Sequence, residues 1–326
     1  MRYLSLFSGI EAASVACNGM GWEAMAFAEI DPFPSAVLAN RFPGVPNLRD
    51  VTKVNWRSFV KKCGRPDLVV GGSPCQSFSI AGTRTGLEGA SGLMWEYVRA
   101  VRDVRPEWVL WENVPGALSS SNGEDFRCLL ESLDALGYGL AWRVLDAQFF
   151  GVAQRRERVF LVGRLGSRPP VEVLFEPESL RWDIESSAEK RANLTKKAGR
   201  SPCSSGFEPI TMADLNANTA IGYDMVGTLK VGGDAPSVCY RERAGCDKGA
   251  LVSEVVRRLT PRECERLQGF PDDWTLVPWK GRPAEECPDG PRYKAIGNSM
   301  AVPVMRWIFE RIDACAGAWQ RSGSCD

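Results

Sequence analysis

The most informative feature of this 326-residue chain is an absence, because it contains no histidine. A Ser-His-Asp triad, a Cys-His pair, a zinc site with histidine ligands and an imidazole proton shuttle are therefore excluded. Any chemistry must use cysteine, carboxylates, arginine, lysine, the backbone or a cofactor. A net charge is absent too: 40 basic and 40 acidic side chains cancel, so affinity for nucleic acid must come from local patches.

Two further absences concern cellular location. The 11 cysteines form no C-x-x-C pair, which argues against a zinc ribbon or a disulfide framework and indicates free thiols in a reducing cytoplasm. No apolar run approaches roughly 18 residues, so no membrane span is predicted. Glu11 interrupts the apolar N-terminal stretch, which therefore predicts a first core strand and not a signal peptide.

Up to about residue 165, apolar runs alternate with helical patterns. Strands are predicted over residues 3–7, 23–29, 67–70, 108–111, 140–145 and 158–162. A first helix is predicted to end at residue 20, and further helices are predicted over 34–41, 93–104 and 124–136. This alternation predicts an α/β fold with a parallel sheet covered by helices on both faces. Residues 166–250 have weak periodicity and indicate a smaller, loop-rich domain, and helical patterns return over 261–268 and 301–315.

The polar and glycine-rich segments follow the predicted strands, after Phe7, at Glu29, after Val70 and at Glu112. In such sheets, ligands bind beyond the carboxyl ends of the strands, so these segments predict a site. Cys75 in GGSPCQSFS has polar neighbours unsuited to a core, which favours a nucleophile over a small buried hydrophobe. A carboxylate at Glu112 would be partly desolvated and suited to hold a proton.

The arginines of QRRER are less specific, since a solvated charged edge would look the same. As a binding element they would suit a phosphate or an oxygen-rich base edge. Asn113, taken alone, is equally compatible with a turn before Pro115.

Six segments together resemble the DNA cytosine-5 methyltransferase family and occur in the family's order. They are FSG at 7–9, GGSPCQSFS at 71–79, ENV at 112–114, QRRER at 154–158, RRLTPRECERLQGFP at 257–271 and IGNSMAVPV at 296–304. The resemblance implies a Rossmann-like sheet of the S-adenosylmethionine-dependent methyltransferases with a smaller loop-rich target-recognition domain. It implies a catalytic and cofactor-binding domain over residues 1–170, completed by residues 290–326, and a target-recognition domain over residues 171–289.

The implied reaction transfers a methyl group from S-adenosylmethionine to carbon 5 of a flipped-out cytosine in a specific duplex DNA sequence, leaving S-adenosylhomocysteine. Cys75 would attack carbon 6 and form a covalent adduct. Glu112 would act at ring nitrogen 3, and Arg158 would hold the ring's carbonyl oxygen. No step requires histidine or a metal, which agrees with the composition.

The same resemblance implies a pocket for the methyl donor. Phe7, Gly9 and Ile10 would cradle its amino-acid part, while Glu29 would bind the ribose hydroxyls and Ile30 would pack on the adenine. The pocket would be completed by Asp50, Val51, Leu93, Asn298 and Ser299. Glu11 stands where the family usually has a second glycine, and we expect its side chain to point outward, away from the site.

The resemblance also implies contacts with DNA, because a base in a duplex must be flipped out to reach a thiol. The expected contacts are Ser79, Arg84, Arg156, Thr228 and Leu229. Arg84 lies in a glycine-rich segment that could close over the site, although an exposed loop arginine would look the same. Sequence choice is expected within about residues 171–255, where Thr228 and Leu229 resemble the family's Thr-Leu element; a glycine turn entering a strand is the bland alternative.

Two other functions remain open. One is a tRNA cytosine-5 methyltransferase on the same scaffold, and the other is a non-catalytic DNA-binding relative, against which the intact Cys75, Glu112 and Arg158 argue. The expected partner is double-stranded DNA, with a cognate restriction endonuclease encoded nearby as a further candidate. We expect a cytoplasmic monomer without a bound metal or a membrane association.

Overall fold

The computed structural model describes residues 1–73, 92–175 and 254–322, together with three short strands between residues 207 and 242. The chain forms two compact units. Unit 1 contains Met1–Leu145, Glu157–Trp182 and Val304–Asp326, and unit 2 contains Asp146–Arg156 and Asp183–Pro303. The domain boundaries expected from the sequence, at residues 170 and 290, separate catalysis from DNA recognition. The division into compact units does not test that functional division, which stays a proposal.

Unit 1 is built on a six-stranded sheet. Its strands are β1 (Arg2–Leu6), β2 (Glu23–Ala28), β3 (Leu68–Gly71), β4 (Trp108–Asn113), β5 (Tyr138–Asp146) and β6 (Glu157–Leu165). Their spatial order is β2-β1-β3-β4-β6-β5. Each predicted strand is present, and β4, β5 and β6 are longer than the apolar runs that indicated them.

The sheet is mixed and not wholly parallel. β1 pairs parallel with β2 and β3, and β3 pairs parallel with β4, but β6 runs antiparallel to β4. The expectation of a parallel sheet is therefore wrong at this edge. The physical reason is the short connection between β5 and β6, which consists only of residues 147–156. A crossover that keeps two neighbouring strands parallel needs about a dozen residues or more, so β6 must reverse direction.

Six α-helices of unit 1 lie between residues 12 and 174 in the described part of the chain. They are α1 (Ala12–Ala16), α2 (Pro32–Arg41), α3 (Trp56–Cys63), α4 (Gly92–Val104), α5 (Glu124–Ala135) and α6 (Val171–Leu174). α1 ends before the predicted Met20, because Gly19 and Gly21 have left-handed backbones that a right-handed helix cannot contain. The sequence analysis missed α3, although Asn55 caps its first turn and Gly64 ends it.

The core of unit 1 fixes the position of β4, which ends at Glu112 and Asn113. In α4, the buried residues Met94, Tyr97 and Val101 recur every three or four positions, so one face of the helix lies on the core. Trp111 of β4 is also buried in this cluster. Burial of each such side chain contributes about 1.5–3 kcal/mol.

Within its described residues, unit 2 contains a four-stranded antiparallel sheet and two α-helices. The strands are β7 (Phe207–Met212), β8 (Ile221–Gly222), β9 (Ser237–Glu242) and β10 (Glu254–Arg258), in the order β10-β9-β7-β8. The helices are α7 (Pro261–Gln268) and α8 (Asp289–Asn298). α7 begins and ends as predicted, because Thr260 and Glu263 form a capping box and Gly269 closes the helix with φ 81°.

A buried polar network joins the two helices of unit 2. Oε1 of Glu265 accepts hydrogen bonds from the amide and the hydroxyl of Thr275, and the Nε atom of Arg292 donates to the same hydroxyl at 3.0 Å. Arg292 also pairs with Glu265 at 3.4 Å. RRLTPRECERLQGFP therefore contributes a capped helix and a buried polar network to the structure of unit 2.

The last helix, α9 (Val302–Ser322), brings the end of the chain onto unit 1. The Trp22 Nε1 atom donates to Asp313 at 2.9 Å, and the rings of Trp22 and Phe309 are 4.9 Å apart. Arg311 donates to the carbonyl of Val173 at 2.8 Å. Within the described residues, no helix combines the length and apolarity needed to cross a bilayer.

Candidate active site

The turn after β1 is held in place by hydrogen bonds to the end of β2. Ser8 Oγ donates to Ser5 O and accepts from the amide of Ala28, and the amide of Gly9 donates to Glu29 Oε2 at 2.8 Å. Phe7 and Gly9 both have positive φ values, 53° and 55°. Phe7 is half-buried, whereas Ile10 is fully buried and attaches the turn to the core.

Glu29 is positioned by two residues of neighbouring loops. Its amide donates to Asn47 Oδ1 at 3.0 Å, and Asn47 Nδ2 returns a bond to the carbonyl of Glu29. Its carboxylate accepts from the amides of Gly9 and Asp31. Burial raises the pKa of this carboxyl above its usual value. Each carboxylate oxygen has capacity for a further donor, which fits the hydroxyls of a ribose.

The neighbouring positions fit an adenosine to different degrees. Ile30 is 63% exposed, an unusual position for a large aliphatic side chain, and is available to pack on a flat ring. Val51 is buried, and Leu93 is half-buried in the first turn of α4. Asp50 caps a short 3-10 turn by accepting from the amide and hydroxyl of Thr52, which lowers the pKa of its carboxyl.

Two of the three predicted catalytic residues, Glu112 and Arg158, lie next to each other at the end of β4. Oε1 of Glu112 lies 3.2 Å from Nε of Arg158 at the start of β6, and their side chains are 12% and 13% exposed. The antiparallel pairing of β4 with β6 brings them to one edge of the sheet. A carboxylate and a guanidinium held this way present both an acceptor and donors to a planar polar ring.

The same strand end is attached to the segment that leads into Cys75. Asn113 Nδ2 donates to Ser73 O, and Trp111 Nε1 donates to Ser73 Oγ, both at 3.2 Å. Ser73 is buried and is the last described residue before Cys75, which follows it by two positions and lies outside the described residues. Asn113 thus holds the segment that leads to Cys75, whereas from the sequence alone it was equally compatible with a turn before Pro115.

The two glycines of GGSPC are required for different reasons. A Cβ atom on Gly71 would lie 2.7 Å from the backbone oxygen of Leu6, so no side chain fits between β3 and β1. A Cβ atom on Gly72 would lie 2.7 Å from Oε2 of Glu112. Gly72 therefore permits the carboxylate to approach the end of β3 closely.

The remaining predicted residues are placed as follows. Ser79, Arg84, Thr228 and Leu229 lie outside the described residues. Asn298 is exposed at the end of α8, and Ser299 is buried as the C-cap of that helix. Both belong to unit 2.

Arg156 occupies a position that does not suit the DNA contact expected for it. It is 3% exposed, and its Nη2 atom donates to the carbonyls of Gly297 and Ser299 at 3.1 and 2.8 Å. Its guanidinium thus ties QRRER to IGNS within unit 2. A buried guanidinium bound to backbone carbonyls supports the protein's own structure, so we do not carry the DNA contact forward for this residue.

The expectation that Glu11 points outward is wrong. Its side chain is 1% exposed and accepts from Ser5 Oγ at 2.8 Å and from the amide of Ser14 at 3.1 Å. Desolvation raises its pKa to about 7. A carboxylate flanked by the apolar residues Ile10, Ala12 and Ala13 was the sequence signal that could have indicated this position.

The chain is similar to known proteins over most of its length. A family model described as C-5 cytosine-specific DNA methylase matches residues 1–314. The chain is 34% identical over 470 residues to a protein of Escherichia phage P1 named DNA N-6-adenine-methyltransferase, covering 99% of this chain and 62% of that protein. It is 29% identical over 331 residues to the Type II methyltransferase M2.BsuMI of Bacillus subtilis, covering 98% and 77%.

A solved structure shows the same fold. The Dnmt2 methyltransferase of S. pombe matches with a TM-score of 0.65 at 17% identity, covering 95% of this chain and 97% of that one. At this identity, the likeness establishes the S-adenosylmethionine-dependent methyltransferase fold alone. The chain spans less than two thirds of the phage P1 protein, so that protein's activity as a whole is not carried over.

Proposed function

The chain belongs to the C-5 cytosine-specific DNA methylase family, and we propose that it methylates carbon 5 of cytosine in a specific duplex DNA sequence. The observation that carries this proposal is the Glu112–Arg158 pair at 3.2 Å, at a strand end also bonded to the segment entering Cys75. An acceptor, a set of donors and a thiol are the groups that addition to a cytosine ring requires, and Cys75 would supply the thiol.

The methyl donor in this proposal is S-adenosylmethionine, which supplies an activated methyl group. The Phe7–Ile10 turn and Glu29 would hold it, with Ile30, Asp50, Val51 and Leu93 around its adenine. The raised pKa and half-buried position of Glu29 suit a carboxylate that binds neutral hydroxyls. Asn298 and Ser299 remain proposed members of this pocket.

The proposed reaction begins at cytosine carbon 6. Carbon 5 is a poor nucleophile, so the thiolate of Cys75 adds to carbon 6 and passes electron density to carbon 5. Glu112 holds a proton at ring nitrogen 3 during this addition, and Arg158 binds the ring's carbonyl oxygen. After methylation, loss of the carbon 5 proton and elimination of the thiol restore the aromatic ring.

DNA recognition would be divided from this chemistry. The target base leaves the duplex at a cost of a few kcal/mol, about what an enzyme–DNA interface can supply. We propose Ser79 and Arg84 as contacts near the flipped base and Thr228 and Leu229 as contacts with base edges in the target-recognition domain, residues 171–289. We further propose that the protein is a cytoplasmic monomer. We also propose a cognate restriction endonuclease as its partner, which is supported by the Type II methyltransferase of Bacillus subtilis among its relatives.

The decisive experiment combines a product assay with a covalent trap. We expect the purified protein to form 5-methylcytosine in duplex DNA, read by nucleoside mass spectrometry and located by bisulfite sequencing. Duplexes carrying 5-fluorocytosine should trap a denaturation-resistant adduct, because fluorine cannot leave as a proton does. Cys75→Ala should abolish that adduct, whereas the control Cys63→Ala, at an exposed cysteine of α3, should keep it.

Two other outcomes would contradict the proposal. Methylation of tRNA in place of duplex DNA would move the protein to the alternative substrate class. Formation of N6-methyladenine, the product that the name of the phage P1 relative indicates, would remove the need for Cys75 altogether.

A further inference from the structure

A buried carboxylate lies in the turn between β1 and α1, and the proposed reaction does not use it. Glu11 has a left-handed backbone, with φ 65° and ψ 62°, and its side chain is 1% exposed. This backbone is unfavourable for any residue except glycine, and burying a carboxylate is also unfavourable. The interactions of the Glu11 side chain must therefore compensate for both.

Those interactions join the strand to the helix. Oε2 of Glu11 accepts from Ser5 Oγ on β1 at 2.8 Å. Oε1 accepts from the amide and the hydroxyl of Ser14 on α1 at 3.1 and 3.0 Å. The hydroxyls of Ser14 and Tyr3 are 2.6 Å apart, which extends the network back to β1. One carboxylate thus spans the whole turn from Ser5 to Ser14.

A second carboxylate holds the other side of the same turn. Gly9 donates its amide to Glu29, which directly follows β2, so hydrogen bonds to the carboxylates of both Glu11 and Glu29 hold this turn. The turn has positive φ values at Phe7, Gly9 and Glu11. Its shape therefore depends on these two anchors and not on regular secondary structure.

We propose that Glu11 is a positioning residue for the methyl donor: by tying Ser5 to Ser14, it holds the Phe7–Glu11 turn in the shape that receives the donor. This inference rests on the donor site proposed above. It predicts that donor affinity depends on a residue that does not itself touch the donor.

The protonation state of Glu11 should then influence donor binding. Desolvation raises its pKa to about 7, and Glu29 adds a smaller repulsion. The other titratable groups facing it, Tyr3 and Cys17, have raised pKa values and stay neutral near pH 7. Burial outweighs the hydrogen bonds in setting this pKa, but the hydroxyls of Ser5 and Ser14 and the amide of Ser14 all donate to the carboxylate, so this set of bonds is complete only when Glu11 is ionised. Donor affinity should accordingly rise with pH through this range.

The test measures donor binding and not turnover. Isothermal titration calorimetry with S-adenosylmethionine and S-adenosylhomocysteine at pH 6 and 8 should show about fivefold tighter binding at the higher pH for the wild type. Glu11→Gln should bind more weakly at pH 8 and lose most of this pH dependence. The matched control is Glu23→Gln, at an exposed carboxylate that begins β2, and it should behave as the wild type.

A second variant keeps the proposal testable if Glu11→Gln fails to fold. Ser5→Ala keeps Glu11 but removes one donor to it, so the midpoint of the pH dependence should move to higher pH. Wild-type affinity and pH dependence in either variant would overturn the role of Glu11. If the wild type bound neither compound at either pH, the proposed donor site itself would fail, which is a different result.

Discussion

Oε1 of Glu112 lies 3.2 Å from Nε of Arg158, and this ion pair exists because β6 runs antiparallel to β4. A parallel β6 would present its carboxyl end at this edge, and Arg158 stands at the amino end of the strand. The short β5–β6 connection therefore has a functional consequence. It places a cation beside a carboxylate where both are largely removed from water.

The first prediction separates the two carboxylates of the site. Glu112→Gln should lower kcat about a hundredfold or more, because in the proposed reaction the residue acts on the ring during addition, and should leave donor binding near the wild-type value. Glu29→Ala should instead weaken donor binding about tenfold or more. Single-turnover kinetics and calorimetry measure the two effects, with Glu131→Gln on the exposed face of α5 as the control. If both variants changed only the same parameter, our division of roles would fail.

The second prediction concerns Gly72. Gly72→Ala should displace the Glu112 carboxylate, because its Cβ atom would lie 2.7 Å from Oε2. A displacement of this size can lower the rate about a hundredfold while the protein stays folded. Gly44→Ala is the matched control, since a Cβ atom there meets nothing within 4 Å. Unchanged kinetics in Gly72→Ala would show that Glu112 needs no fixed position.

The third prediction gives the pH dependence of stability. The pKa of Glu11 is about 7 in the folded protein against an ordinary 4.5, so the folded state holds its proton more tightly than the unfolded chain. The free energy of unfolding should therefore fall as pH rises between these values, by on the order of 3 kcal/mol. Urea denaturation at pH 5 to 8 should show this loss in the wild type and a flatter profile in Glu11→Gln. A Glu11→Gln profile as steep as the wild type would assign the loss to other groups.

The fourth prediction tests the buried network of unit 2. Arg292→Leu should cost about 3–5 kcal/mol, because Glu265 is fully buried and would lose its cation. Adding Glu265→Gln should restore part of that loss. Arg127→Leu, which breaks exposed pairs on α5, should cost less than about 1 kcal/mol. An equal cost at the two arginines in chemical denaturation would contradict the assignment.

The fifth prediction concerns sequence choice. Replacing residues 171–255 with the matching segment of a relative should move methylation to that relative's site, because base-edge contacts in the major groove discriminate by about 1–3 kcal/mol each. The chimera should still form the 5-fluorocytosine adduct through Cys75. Bisulfite sequencing reads the outcome, and an active chimera that still marks the original site would refute the division between chemistry and recognition.

Much of unit 1 could be predicted from local sequence. The strands and longer helices follow from apolar periodicity, and α7 follows from its capping residues, since these signals act over a few neighbouring positions. The resemblance to the family named Glu112 and Arg158 before any geometry was known. The strands of unit 2 could not be predicted in this way, because their periodicity is too weak to distinguish them from loops.

What the sequence by itself determined is which groups are left to carry chemistry: with no histidine, these are cysteine, carboxylates, arginine, lysine, the backbone or a cofactor. Tertiary structure decided where those groups lie. The burial of Arg156 depends on its hydrogen bonds to the carbonyls of Gly297 and Ser299, which are distant in the sequence. The burial of Glu11 depends on how the first turn folds back on the strand that precedes it. Local propensity does not encode such contacts, because the environment of a charged side chain is set by whatever packs around it.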